Sequence, residues 1–176
     1  MEILKYPHPC LKTKCKDIKR IDQEVIDRVA EMFKSMYENN GVGLAAPQVG
    51  WDARLFIINI TGEEGTEMVF VNPVIAEAEG FVTEEEGCLS IPGVFGKVKR
   101  GERALVKAYD LKGQEIELEG DGLLARALQH ETDHLNGTLF ISKLSRAGKI
   151  TIASELKQLE ERFKASHPVP PASCPM

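Results

Sequence analysis

The chain reads as an α+β protein of short strands, hairpins and segregated helices, with one helix near the N-terminus and one near the C-terminus. Three observations carry this reading. Short alternating or apolar runs of strand length are separated by turns rich in Gly and Asp. Helical periodicity is confined to three stretches, near residues 22–40, 122–135 and 148–164. The regular strand–helix alternation of a parallel sheet is missing.

Taken in order, Tyr6-Pro7-His8-Pro9 is a stiff segment that does not start a helix. From Asp22 to Asn40, Val25, Val29, Met32, Phe33 and Met36 recur at helical spacing, with Asp22 as cap and Asn39-Asn40-Gly41 as stop. Arg54–Ile60 and Met68–Val71 are strands separated by a polar Gly62-Glu-Glu-Gly65 turn. Arg103–Tyr109 and Gln114–Leu118 flank Asp110-Leu-Lys-Gly113 as a hairpin. A helix from Gly122 to Leu135 keeps Leu123, Leu124, Ala127, Leu128 and Leu135 on an apolar stripe. A last helix spans about Gly148 to Lys164, with Ile152, Leu156, Leu159 and Phe163 on one side. The proline-rich stretch 166–176 is expected to be a disordered tail, leaving one domain over 1–165.

Composition narrows the function. The 176 residues are 43% hydrophobic and 28% charged, ordinary for one soluble domain with a sizeable core. A net charge of −5 argues against a nucleic-acid-binding domain. No apolar run approaches the roughly 20 residues that span a bilayer. Met1-Glu-Ile-Leu-Lys5 lacks the basic-then-apolar pattern of a secretory signal, so a cytoplasmic location is expected. Cys10, Cys15, Cys88 and Cys174 form no tight framework and read as reduced thiols, Cys10 and Cys15 being the pair to join if any do.

The densest chemistry lies in His130-Glu131-Thr132-Asp133-His134. Histidines four apart share one helix face and can close on a divalent metal, with the glutamate between them placed to move protons. By itself the pattern also fits two ordinary histidines on an amphipathic helix. A catalytic metal needs a third protein ligand. The metzincin extension fails, because Gly137 is followed by Phe140 where a histidine is needed. Glu155 falls near the place where thermolysin-like proteases take a glutamate, but Lys157, Glu160, Glu161 and Lys164 mark a solvated face there. Cys88, within Glu85-Glu-Gly-Cys-Leu-Ser-Ile-Pro-Gly93, sits at a strand end or loop from which a thiolate can approach the helix. The residues alone favour Cys88 over Glu155 and leave an inert buried cysteine open. A third segment, Gly41-Val-Gly-Leu-Ala-Ala-Pro-Gln-Val-Gly50, combines glycines that allow close backbone approach with the neutral amide of Gln48.

In this order GVGLAAPQVG, EEGCLSIPG and QHETDHLNG resemble the peptide deformylase family, which is marked by GxGxAAxQ, EGCxS and HExxH. The similarity runs from the first helix to about Leu144, and it implies an α+β fold with antiparallel β-sheets packed around a central HExxH helix, with an N-terminal and a C-terminal helix. It implies Cys88, His130 and His134 as ligands of one divalent metal. Iron(II) is typical, nickel, cobalt or zinc can replace it, and an iron site beside a thiolate is oxygen-sensitive. It implies Glu131 as general base, and the Gln48 amide and Leu89 backbone N–H as donors to the formyl oxygen. Gly43 and Gly87 then present backbone to an extended peptide, while Val42, Leu123 and parts of the motif helix line a methionine pocket. The implied reaction is hydrolysis of the N-formyl group of formyl-methionine on newly made polypeptides, releasing formate. The implied agent is a monomer working near the ribosome, with no membrane and no specific nucleic acid as partner.

Around that site, Arg126 and Glu84 are expected to turn their charges outwards, Arg126 resting its stem on the pocket wall. Glu86 is expected to be held by Arg100, and Asp133 to orient a neighbour. Two rival readings stand beside this one. One is a metallopeptidase using Glu155; the other is a non-catalytic binder of nascent chains or ribosomes, using Lys149, Lys157, Arg162 and Lys164.

Overall fold

The structure is a computed structural model that describes residues 1–169, 171 and 174. Asp22 accepts a hydrogen bond from the Val25 N–H and so starts α1 (Gln23–Glu38). Asn39 closes it, and Asn40, at φ 54°, redirects the chain. A five-stranded antiparallel sheet follows, in the order β1 (Gly43–Ala45), β2 (Leu55–Ile58), β3 (Met68–Glu79), β6 (Arg103–Tyr109), β7 (Glu115–Asp121). Between β3 and β6 the chain forms a separate hairpin of β4 (Val82–Cys88) and β5 (Ile91–Arg100). The motif helix α2 (Gly122–Leu135) comes next, then α3 (Arg146–Thr151) and α4 (Ala153–Ser166).

The central position of the sheet explains why β2 is apolar throughout. Leu55 and Ile57 pack with Val29, Met32 and Met36 of α1. Phe56 and Ile58 point the other way, to Phe70, Val106 and the α2 residues Leu128 and Leu135. Each such side chain contributes roughly 1.5–3 kcal/mol by leaving water, so α2 is held by its apolar stripe on the sheet. A third cluster, with Leu11, Ile91, Val94, Val98, Phe140 and Ile152, joins β5 to the C-terminal helices.

Four expectations need correction. The strand expected over Met68–Val71 is longer: β3 continues to Glu79 through a register shift between Val71 and Val74. Asn72 takes φ 51° in this bulge and holds Ile18 N–H and C=O with its side chain; a proline is tolerated at such a position because its missing N–H is not needed by the ladder. Within residues 82–100 only a strand end or loop at Cys88 was expected, yet the stretch pairs as β4–β5, one side of which stays wet. The last helix is two helices, broken at Ile152, whose side chain is buried. Pro9 does open a short 3-10 turn, Pro9–Lys12, at a first position where no N–H is required.

All four cysteines are free. Ser166 belongs to α4, Cys174 is buried, and most of the rest of the expected tail lies outside the described residues. Among the described residues no helix is long and apolar enough to cross a membrane.

Candidate active site

The apolar face of α2 is committed to the sheet, which turns His130, Glu131 and His134 towards β1 and the end of β4. His130 and His134 lie one turn apart, their Nε2 atoms 3.2 Å from each other. Cys88 is the last residue of β4, and Leu89-Ser90 is the two-residue turn to β5. That tight turn brings Cys88 Sγ to 3.3 Å from His134 Nε2. Metal–sulfur bonds of about 2.3 Å and metal–nitrogen bonds of about 2.0–2.1 Å give a tetrahedron with edges of roughly 3.3–3.6 Å. The donor set therefore fits one divalent cation. Among the described residues it is the group of three converging metal-ligating side chains. Glu155 is exposed on α4 and has no part in it.

His130 is oriented from behind. Its Nδ1 lies 3.1 Å from Glu86 Oε2, a contact that places the ring proton on Nδ1 and leaves the Nε2 lone pair free for a metal. Glu86 is buried and clamped in turn. Arg100 donates Nε and Nη2 to its two oxygens at 2.8 and 2.9 Å, as expected, and Arg126 adds Nη2 at 2.8 Å. Burial opposes ionisation of Glu86, but Arg100 and His130 overcome it and hold the carboxyl down at about 2. Asp133 binds Arg100 and Lys143, so it steadies the clamp without ligating.

Arg126 does not turn outwards. It is 4% exposed, because Glu86 and the Glu84 carbonyl give its guanidinium partners inside. Glu84 itself remains outward, its carboxylate 3.4 Å from Arg126 Nε.

Glu131 is 5% exposed, and burial pushes its carboxyl up to about 7 against the pull of His130 and Arg100. Among the described residues its buried Oε2 has no hydrogen-bond partner. Gln48 is equally buried, and its orientation is fixed. Oε1 accepts the Ala45 N–H at 2.8 Å, so the NH2 group faces Ser90 Oγ at 3.2 Å and Cys88 Sγ at 3.5 Å. Ser90 was not singled out in the sequence, although the EGCxS pattern contains it.

A cavity of about 590 Å³ opens beside these groups. Val42, Gly43, Gln48, Gly87, Leu89 and Leu123 all line it with Cys88, His130 and Glu131; His134 lies behind them, 1% exposed. Ala127 joins the wall from the motif helix, and Val94 and Phe95 join it without having been foreseen. Phe95 lies over Gly87, where an added Cβ would come 2.7 Å from the ring.

The N-terminal segment ties the two loops of the site together. Leu4 N–H donates to Gln48 O at 2.7 Å, Lys5 Nζ to Leu89 O at 2.8 Å and Tyr6 N–H to Ser90 O at 2.8 Å. No local periodicity announces such a contact, so the sequence reading missed it.

Comparison with known proteins gives the same assignment from another direction. Residues 1–149 match the family model of polypeptide deformylase. The peptide deformylase of Chromobacterium violaceum is 44% identical over 162 residues, 92% of this chain and 97% of its own. That of Thermodesulfovibrio yellowstonii is 48% identical over 147 residues, 82% of this chain and 89% of its own. Among solved structures, Arabidopsis thaliana peptide deformylase 1B in complex with an inhibitor superposes with a TM-score of 0.93 at 38% identity, covering 98% of each chain. The Plasmodium falciparum peptide deformylase gives 0.91 at 38% identity, over 94% of this chain and 99% of its own. Three motifs in order, one converging donor set and near-complete overlap in fold and length have one explanation: this chain belongs to the polypeptide deformylase family of hydrolases.

Proposed function

We propose that this chain hydrolyses the N-formyl group from the N-terminal formyl-methionine of newly made polypeptides, releasing formate, as a single catalytic unit over residues 1–165. The observation that carries the reading is the convergence of Cys88, His130 and His134 at metal-ligand spacing, with Glu131 and Gln48 beside the same cavity. Those three residues hold one divalent metal, iron(II) in the cell, with zinc, nickel or cobalt able to replace it. When bound, the metal supplies Lewis acidity that makes water a better nucleophile and polarises a carbonyl.

The remaining steps belong to the protein. Glu131 accepts a proton from the water that attacks the formyl carbon. As the C–N bond breaks it returns that proton to the departing nitrogen, leaving formate and a free amine. Its buried position keeps its basicity near neutrality, where both transfers are feasible. Negative charge that builds on the formyl oxygen meets the Gln48 NH2 and the Leu89 backbone N–H. Gln48 needs no reorientation, because Ala45 already fixes it. One such donor is worth about 3–4 kcal/mol in other hydrolases.

Gly43 and Gly87 present backbone to the peptide, and Val42 and Leu123 line the methionine pocket. The protein works in the cytoplasm as a monomer on nascent chains at the ribosome, with no specific nucleic-acid contact, in keeping with its net charge of −5.

Formate release from a formyl-Met tripeptide tests the reading, using protein loaded anaerobically with iron(II) or nickel. Rapid release by the wild type and loss of at least about 100-fold in Glu131→Ala are expected. No release from protein holding one metal per chain would overturn it.

A further inference from the structure

Spacing along the chain makes Cys10 and Cys15 the cysteines to join, but the fold brings a different pair together. Cys10 lies in the 3-10 turn Pro9–Lys12, fully buried, with its N–H donating to His8 Nδ1 at 3.2 Å. The α4 helix packs back against this turn. Phe163 stands edge-on to the His8 ring with centroids 6.0 Å apart, and Glu160 accepts the Tyr6 hydroxyl. Cys174, beyond the end of α4, is buried beside the same turn, its thiol hydrogen-bonded to that of Cys10. Cys15 stands nearby and shares no thiol hydrogen bond with either. Neither Cys10 nor Cys174 lines the substrate cavity or belongs to the metal-ligating group. Two sulfurs already in contact meet the proximity that a disulfide demands. The loop such a bond closes is nearly the whole chain, so it removes much of the freedom of the unfolded state.

We propose that Cys10 and Cys174 are a redox-responsive pair that closes into a disulfide by exchange with a low-molecular-weight disulfide. Cys174, at 9% the more exposed of the two, loses its proton and attacks one sulfur of the reagent. The reagent S–S bond breaks, and its other half leaves as a thiolate that takes up a proton. The Cys10 thiolate then attacks the Cys174 sulfur and displaces the second half in the same way. Two protein thiols are oxidised, and one reagent disulfide is reduced to two thiols. Burial pushes both thiols up, so thiolate is scarce at neutral pH and the exchange quickens as pH rises. A reducing compartment keeps the pair open, and an oxidising shift closes it. Closure pins Cys174 to the N-terminal segment whose Leu4, Lys5 and Tyr6 hold Gln48, Leu89 and Ser90. The inference is independent of the deformylase reading.

The test treats nickel-loaded protein, in which the metal occupies Cys88, with oxidised glutathione, then blocks free thiols and digests with trypsin. Cleavage after Lys12 and Lys14 puts Cys10, Cys15 and Cys174 on separate peptides, so mass spectrometry names the partners. One cross-linked peptide joining Cys10 to Cys174 is expected, reversed by dithiothreitol. The oxidised protein should melt at least about 5 °C above the reduced form. Cys174→Ser should abolish both the cross-link and the shift, and Cys15→Ser should leave both in place. A cross-link through Cys15, or glutathione held on Cys174 without closure, would overturn the proposal. So would thiols still free after treatment at about pH 9, where more thiolate is available.

Discussion

Gly43 leaves Glu131 its place: a Cβ built on Gly43 would stand 2.6 Å from Glu131 Oε1. The glycine is set by the volume of the proposed general base, since its own φ needs no left-handed freedom. Gly43→Ala should therefore push the Glu131 carboxylate aside while the fold persists. A misplacement of about 1 Å costs roughly 100-fold in rate. We expect kcat to fall by that order, with metal content and circular dichroism like wild type. A variant that keeps full activity would show that Glu131 has slack the packing does not suggest.

Glu86 acts through His130. Replacing it by glutamine removes the anionic acceptor of Nδ1 and leaves Arg100 and Arg126 facing a neutral amide in a buried site. Metal affinity should drop about 10–100-fold, as for other partners that orient a ligand histidine. Competition against a chelator measures this directly. Unchanged affinity would mean that the rest of α2 suffices to orient the ring.

Metal binding should stabilise the chain. At free metal a thousandfold above Kd, binding adds about 4 kcal/mol, which for a chain of this size raises Tm by roughly 8–16 °C. Chelation should reverse the gain. Cys88→Ser should shrink it, whereas Glu155→Ala should leave it intact. A loss in Glu155→Ala with none in Cys88→Ser would point to the peptidase arrangement instead.

Tyr6 links the N-terminal segment to α4 by donating to Glu160 Oε1 at 2.7 Å. Burial, reinforced by that carboxylate, pushes the phenol up to about 12. An unfolded tyrosine ionises near 10. The folded value is raised, so this stabilisation is complete below about pH 10 and is lost as pH climbs through 12. Titration of tyrosinate absorbance should show a phenol near pH 12, which Glu160→Gln brings down but not to the value of a free tyrosine, because burial remains. A late phenol unmoved by Glu160→Gln would detach the shift from this contact.

Much of the site could be read before the fold was known, because its information is local. His130 and His134 share a face by the 3.6-residue period of a helix, and the apolar stripe of α2 had its bounds, Gly122 to Leu135, in the sequence alone. Asp22 and the β6–β7 hairpin were legible for the same reason: caps and turns depend on residues a few positions apart. Cys88 was a candidate from its glycine-flanked setting, but its 3.3 Å approach to His134 spans 46 positions and depends on the β4–β5 hairpin, which carried no clear alternation.

Arg126 shows most plainly what tertiary structure decides. By composition it belongs outside, since a lone buried cation is far too costly. It lies inside because Glu86, 40 positions away, is already buried and Arg100 alone does not use all of its acceptor capacity. The same holds for the stitch of Leu4, Lys5 and Tyr6 onto Gln48, Leu89 and Ser90. Short-range sterics and periodicity already assign the chemistry to one helix and name the residue types that serve it. The burial of charges and the closure of the loops were left to the fold, because their free energy depends on partners that only the folded chain brings together.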